Sequence, residues 1–402
     1  MALANDRLRP FRVLVGFADA IAAPEAAWSL ADAGFLVSTF SRAGRRVALT
    51  RSSAVEQKLD VTPPERDAEA TVRDLQRIAG TGAFDAVLPL DDQAIWTCAR
   101  AFAGSTVTVV GPSGALADLA LDKREQLEIA EAAGFQCFPT TVVTEPADAA
   151  THPPFPVVVK PALAAELHGK RLSRGKMSVC ANESELAAAL AQRSGVAPDL
   201  LQPYRSGHGE GLFGLATAHG PIVWSGHRRI RMMNPTGSGS SACFSIRPDA
   251  DLVRAGEAFI TKAHWTGPFM IELLRDADGT PYFVEFNGRL WGSLALSNHQ
   301  GFDYAAWSVQ AALDPNFSPT PPATFEHVVC RHLGRELAHL AFVFRGPRSE
   351  ALAPGWPGRW QTLRDVAAVR RTDRWYNLRA RNPTVLAADT VLTLTGLVKR
   401  AG

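Results

Sequence analysis

The sequence predicts an α/β fold: a Rossmann-like parallel sheet at the N-terminus, then a mixed α+β region, then a small basic extension. Three observations carry this. From about residue 12 to residue 111 strand-like and helix-like segments alternate, the pattern of a mostly parallel sheet covered by helices on both faces. Near Gly111 to Ala117 the alternation gives way to explicitly capped helices and long hairpins. At 402 residues and 46% hydrophobic, the chain can bury a large core spread over two or three domains.

The elements follow in order. "RVLVGF" (12–17) reads as a buried strand, "PEAAWSLADAG" (24–34) as a helix closed by glycine, and "FLVSTFS" (35–41) as a second strand. "PPERDAEATVRDLQRIAG" (63–80) gives a helix, and "FDAVLPL" (84–90) and "TVTVVG" (106–111) give strands. The loop after the first strand has Gly16 but lacks GxGxxG, so a dinucleotide site is not supported.

Past the boundary, Asp122 caps a helix that has Glu125 as capping-box partner and stops at Gly134; Asn182 and Glu185 repeat the device in "NESELAAALAQRSG". Between them "FPVVVKP" (155–161) is a buried strand carrying Lys160 at its end. The loop "ALAAELHGKRLSRGK" (162–176) holds Lys170, Arg171, Arg174 and Lys176 around Gly169 and Gly175, the makings of a mobile lid over phosphates. It is not a P-loop, because GxxxxGK[ST] is absent. Leu200 to Tyr204 reads as a strand entering a turn, and Gly211 to Met232 as a hairpin reversing at His219-Gly220. Its returning strand bears His227, Arg228, Arg229 and Arg231, a group suited to anions. "PTGSGSSA" (235–242) follows as a flexible connection.

Composition narrows the classes. No apolar run is long enough to span a bilayer, and the first strand begins too near the start to leave room for a signal peptide, so a cytoplasmic protein is expected. Five scattered cysteines with no CxxC spacing point to reduced thiols rather than disulfides or zinc. The net charge of +2 hides an asymmetry: from Arg331 onward 13 Lys and Arg stand against 5 acids. A tail of spaced arginines is read as a solvated face, with nucleic acid or membrane binding not expected.

The chemistry concentrates in "FMIELLRDADGTPYFVEFNGRL" (269–290). Asp278-Gly279 is a preferred two-residue hairpin turn, since both positions tolerate positive φ. That register places Ala277 opposite Thr280 and Glu272 opposite Glu285. Glu285 and Asn287 then share a face with Glu272, while Ile271, Leu273, Tyr282, Val284 and Phe286 point the other way. Directly opposed carboxylates repel and need a cation between them. Two carboxylates and an amide carbonyl suit Mg²⁺, or Mn²⁺, and disfavour zinc. Arg289 falls on the same face and is placed either to neutralise the pair or to stabilise a phosphoryl group in flight.

On these residues the segment "GPFMIELLRDADGTPYFVEFNGRLWGS" (267–293) resembles the metal-binding end of the ATP-grasp superfamily, and in particular its stand-alone carboxylate-amine ligases. The order of parts agrees from about residue 10 to residue 315. The resemblance implies a pre-ATP-grasp domain at 1–116, a small lobe at 117–199, a large lobe with the Mg-ATP site at 200–317, and a basic extension at 318–402. It makes Glu272, Glu285 and Asn287 the Mg²⁺ ligands, Arg289 the transition-state arginine, Lys123 and Lys160 contacts to ATP phosphates, and His227 and Arg229 a basic pair near the reacting phosphate. Gln202, Pro203, Tyr204 and Arg205 match the interdomain hinge that reads adenine, and Glu210 is the ribose candidate. The loop after Lys160 lacks the glycine run of several members. Trp360, Trp375 or nearby arginines are expected at the mouth of the site.

The implied activity joins a carboxylate and an amine, each part of an amino acid or small peptide, with ATP and Mg²⁺ as cofactors and ADP as product. A small-molecule kinase and an ATP-binding regulator without turnover are the alternatives. A monomer or homodimer is expected.

Overall fold

The computed structural model describes residues 9–193, 197–237, 239–347, 352 and 355–401. The predicted helix end at Ser194-Gly195 and Ser238 of the Gly/Ser connection lie outside the described residues.

Five parallel strands form the first sheet: β1 (Arg12–Gly16), β2 (Leu36–Arg42), β3 (Val55–Val61), β4 (Ala86–Pro89) and β5 (Thr108–Val109), in the order β3-β2-β1-β4-β5. Val13, Leu14 and Val15 are fully buried because helices cover both faces. These are α1 (Ala23–Asp32), α2 (Ala68–Gly80) and α3 (Asp92–Ala101). The predicted second helix starts later than Pro63, since Pro63 and Pro64 make a turn and Asp67 caps α2 by accepting from Ala70 N–H. β3 escapes the sequence reading because "VEQKLDV" is a polar edge strand buried only at its two valines.

The chain continues through α4 (Ala115–Leu119), α5 (Lys123–Ala132), β6 (Gln136–Cys137), β7 (Thr141–Val143), β8 (Val157–Pro161), β9 (Glu166–His168), β10 (Arg171–Ser173), β11 (Ser178–Cys180), α6 (Glu183–Ala191) and β12 (Asp199–Pro203). The second sheet has the order β11-β8-β12-β7, all neighbours antiparallel. Val143, Val157, Val159 and Leu201 pack with Leu186 of α6 on one face. Alternation therefore turns Lys160 and Gln202 to the other face, toward the third sheet.

That third sheet contains β13 (His208–Ala216), β14 (Val223–Met232), β15 (Ser240–Ile246), β16 (Gly267–Arg275), β17 (Pro281–Asn287), β18 (Val329–Arg331) and β19 (Arg374–Trp375), in the order β19-β18-β15-β14-β13-β16-β17-β6. With α7 (Ala250–Lys262), the face bearing Leu212, Ile271, Leu273, Phe283 and Phe286 forms one core. Phe213, Leu215 and Met270 on the opposite face join Val13, Leu88 and Trp291 in a core shared with the first sheet, together with α8 (Leu294–His299) and α9 (Tyr304–Leu313). Strand pairing crosses the expected domain boundaries at both ends, since β6 comes from the small-lobe segment and β18 and β19 from the basic extension. The extension adds α10 (Leu333–Arg345), α11 (Arg359–Ala367) and α12 (Pro383–Ala401).

The β16–β17 turn differs from the two-residue prediction. The Asp276 carboxylate accepts from the N–H groups of Asp278 and Thr280, and Gly279 at φ +85° completes a longer loop in which Asp276 N–H donates to Thr280 O. Leu273 therefore pairs with Phe283, and a bulge at Val284 restores the opposition of Glu272 and Glu285. The bulge also changes which residues face the core: Phe283 joins Ile271, Leu273 and Phe286 there, not Tyr282 or Val284. Tyr282 instead stacks on Phe138 at 4.5 Å and 11°. No helix among the described residues is long and apolar enough to cross a membrane, and all five cysteines are unpaired.

Candidate active site

Glu272 and Glu285 lie side by side on β16 and β17, and the chain surrounds them with cations. Arg229 Nη1 stands 2.8 Å from Glu272 Oε1, and Lys123 Nζ 3.7 Å from Glu285 Oε2. Asn287 Nδ2 donates to Glu285 Oε1 at 3.2 Å, and Lys160 Nζ donates to Val284 O at 3.2 Å. Burial opposes ionisation of Glu285, but Lys123 and Lys160 outweigh it and hold the carboxyl below its ordinary range. Burial likewise pushes Lys160 down to about 8, against the pull of Glu285. A buried lysine beside another lysine is costly, and an anion bound beside them would offset that cost.

Local structure explains these placements. Lys123 is the first residue of α5, held there by the Asp122 cap and by its own N–H bond to Ala162 O at 2.8 Å, just past Lys160. Glu125 donates its N–H to Asp122 Oδ1 at 3.4 Å, but Asp122 N–H donates to Asp118 O, so the reciprocal half of the predicted capping box is not made. In the second box the Glu185 carboxylate reaches Ala181 N–H at 2.8 Å, one residue before the cap.

Arg289 reaches the same face from the turn after β17. Its Nη2 donates to Asn287 Oδ1 at 2.9 Å and its Nε to Asp92 Oδ1 at 2.7 Å. Asp92 opposes its own burial through Arg289 and Arg174, which bring its pKa down to about 2. Arg174 stands 3.0 Å from Asp91 and 3.9 Å from Asp92, and Asp91 also accepts from the buried Arg42. The sequence reading missed Asp91, Asp92 and Arg42. A signal was present: "LPLDDQ" puts two acids at the carboxyl end of β4, beside β1, where the strand order reverses and α/β sheets place their ligand crevice.

His227 and Arg229 share a face of β14, and two glycines of β13 make room for them. A Cβ at Gly209 would lie 2.7 Å from Arg229 Cδ, and one at Gly211 would lie 3.0 Å from His227 Nε2. Through that gap Arg229 reaches across β13 to Glu272. His227 departs from the implied basic pair: it is 2% exposed, neither ring nitrogen finds a partner among the described residues, and burial with Arg229 holds its pKa well below the usual imidazole value. It is neutral at physiological pH. Glu210 departs further. Alternation along β13 puts it on the opposite face of the sheet from Glu272, 1% exposed, where Arg228 at 2.6 Å and Arg275 at 2.9 Å consume its carboxylate. It is an internal anchor, not a ribose contact.

At the hinge, Gln202 Nε2 donates to Thr140 Oγ1 at 2.7 Å and Tyr204 N–H donates to Pro156 O at 2.9 Å. Pro203 and Arg205 line a cavity of about 580 Å³ with Phe138, Thr140, Pro153 and Tyr282. The cavity does not include the carboxylate pair. The predicted lid forms the β9–β10 hairpin and packs on α2, the turn before it and α3: Ala68 N–H donates to Lys170 O, Leu172 N–H to Pro64 O, Gln93 Nε2 to Leu172 O and Arg171 Nε to Glu65 O. Leu172 is fully buried by this contact. Trp360 stands 74% exposed on α11, and Trp375 lies beside Arg331, so neither meets the carboxylates.

The donor set fits Mg²⁺: oxygen ligands only, with the two carboxylates opposed in register. Among the described residues no group of three or more His, Cys, Asp and Glu is placed to hold a metal ion. Two carboxylates and an amide leave coordination positions for phosphate and water.

No protein-family model and no curated protein matches the sequence. Solved structures do. An L-amino acid ligase from Bacillus licheniformis superposes at TM-score 0.61 with 18% identity over 76% of this chain and 74% of its own. N5-carboxyaminoimidazole synthetase from Staphylococcus aureus gives 0.61 and 15% over 84% and 87%. The biotin carboxylase domain of a 2-oxoglutarate carboxylase from Hydrogenobacter thermophilus, solved with MgADP and bicarbonate, gives 0.60 and 15% over 79% and 73%.

Proposed function

We propose that this chain, whose fold is that of the ATP-grasp enzymes, is an ADP-forming carboxylate-amine ligase acting on amino acids or small peptides. The observation that carries the reading is the convergence of Glu272, Glu285, Asn287, Arg289, Lys123 and Lys160 on one cleft between the second and third sheets. The likeness to an L-amino acid ligase supports the substrate class.

Glu272, Glu285 and Asn287 would hold Mg²⁺, which when bound supplies neutralising charge to the ATP phosphates. Lys123 and Lys160 bind phosphate oxygens, and burial keeps water from competing. A substrate carboxylate oxygen attacks the γ-phosphorus while the bond to the β-bridging oxygen breaks, giving ADP and an acyl phosphate. Arg289, oriented by Asp92 and Asn287, stabilises the equatorial charge of that transfer. An amine nitrogen then attacks the acyl carbon, the carbon–oxygen bond to phosphate breaks, and the amine loses its proton to solvent or phosphate. His227, neutral and enclosed, shapes the floor beside Arg229 and carries no charge. Pro203 and Arg205 offer backbone groups to adenine at the hinge.

The test is ADP release with Mg²⁺ and ATP over paired panels of amino acids, dipeptides and small acids, in wild type and Glu285→Ala, with products weighed by mass spectrometry. ADP is expected only when acid and amine are both present, with a product one water lighter than its parts and a loss of at least about 100-fold in the variant. A phosphorylated substrate would make the protein a kinase. ATP binding with no turnover across every pair would make it a regulator.

A further inference from the structure

Four arginines meet where the basic extension joins the third sheet, and only three have a carboxylate. Arg229 holds Glu272 at 2.8 Å. Arg231 Nε donates to Glu336 Oε1 at 3.0 Å, and Arg331 reaches Glu336 at 2.8 Å and Asp373 at 3.3 Å. Arg335 has no carboxylate within salt-bridge distance among the described residues; its side-chain contact is Nη1 to Ser240 O at 3.1 Å. The nearby Asp389 is bonded to His332 Nε2 at 3.0 Å.

Burial and a neighbouring arginine outweigh the favourable influence of nearby Asp389 at Arg335. It lies in the first turn of α10, just past the His332 cap, where the helix dipole repels positive charge. Its side chain is half-buried, and burial, with Arg229 close by, pulls its pKa below the ordinary guanidinium value. The loop before β15 nevertheless lies directly against it: a Cβ on Gly239 would meet Arg335 Nη1, the free end of the side chain, and would displace the guanidinium. The same loop approaches the residue just before β11, since a Cβ on Gly237 would lie 3.2 Å from Met177 Cε. Arg335 thus stands at the rim of the cleft, between the loop that meets Met177 and the arginine that meets Glu272.

We propose that Arg335 binds a substrate carboxylate that is not consumed in the reaction: the free α-carboxylate of an amino-acid nucleophile, or the distal carboxylate of a dicarboxylic acid. This rests on the ligase reading above. The reacting carboxylate belongs near Glu285 on β17 and Arg289 just after it, whereas Arg335 is fixed to the start of β15. Three strands intervene, so roughly 19 Å separates β15 from β17. Inward-reaching side chains shorten that gap to the length of an amino acid or dipeptide. Arg335 is a specificity residue rather than a participant in phosphoryl transfer.

The experiment has a binding arm and a turnover arm. Calorimetry with Mg²⁺ and a non-hydrolysable ATP analogue compares free L-amino acids with their amides, and succinate and glutarate with their monomethyl esters. Wild type should bind at least one free carboxylate roughly tenfold or more tightly than its masked partner, and Arg335→Gln should abolish that preference while leaving nucleotide affinity unchanged. Which pair discriminates separates the amino-acid source from the dicarboxylate source. Gly239→Ala, which crowds the guanidinium without removing it, should reduce the preference in the same direction and covers the case in which Arg335→Gln does not fold. In turnover, KM for the discriminated substrate should rise in both variants with little change in kcat. Equal binding of free and masked forms by wild type, or an unchanged preference in folded variants, overturns the proposal. Discriminating binding without ADP release leaves Arg335 assigned and the ligase reading refuted.

Discussion

Asp92 ties the first sheet to the reaction centre. Its carboxylate receives Nε of Arg289, and Asn287 receives Nη2, so the guanidinium plane is set from two sides. Removing one anchor leaves the charge in place and frees its orientation. Asp92→Asn is expected to lower kcat roughly 10- to 100-fold, as misplacement of a positioned group does, while KM for ATP stays near wild type and the thermal midpoint falls because the ion pair with Arg289 is lost. A proportional loss of ATP affinity would mean that Asp92 supports the nucleotide site itself. Residues of this kind separate what the sequence reveals from what it hides. Glu272, Glu285, Asn287 and Arg289 were legible because strand alternation over a short hairpin places them on one face. Asp92 lies 197 positions from Arg289, and no local periodicity links the two.

Elements were legible where one residue type governs the local backbone. Asp122 and Asn182 cap their helices as read. The β16–β17 hairpin shows a subtler case: the turn is longer than predicted because Asp276 bonds two backbone N–H groups, and the bulge at Val284 compensates. The opposed glutamates were therefore placed correctly for an incomplete reason, and the core-facing aromatic was misassigned. The β9–β10 hairpin was read as a mobile lid because its composition is basic and glycine-bounded. The structure shows it packed on the helix layer of the first domain, with Leu172 buried beside α2 and α3. Leu172→Ala should cost about 2–4 kcal/mol of docking. Trypsin cleavage after Lys170, Arg171, Arg174 and Lys176 should then accelerate strongly, relative both to wild type and to other sites in the variant. Rapid cleavage of wild type at these sites would show that the docked hairpin opens freely.

At the scale of the molecule, alternation revealed the first sheet, but the attachment of the extension had no sequence signal, because it depends on strand pairing and on a buried acid far upstream. Glu25 of α1 accepts from Asn377 N–H at 2.9 Å and from Asn298 Nδ2 at 3.3 Å, joining the first sheet's helix layer to the extension and to α8. Burial dominates over these bonds and raises its pKa from 4.5 to about 7. The folded carboxyl therefore keeps a proton that the unfolded chain releases from about pH 4.5 upward. Stability contributed at low pH is lost progressively as pH rises toward 7 and stays lost above it. Glu25→Gln retains an acceptor for Asn377 and carries no ionisation cost. It should be more stable than wild type by about 1–3 kcal/mol at pH 8, with the difference shrinking toward zero near pH 4.5. Denaturant midpoints at both pH values measure this directly, and an advantage that does not change with pH would place the effect in packing rather than in the buried charge.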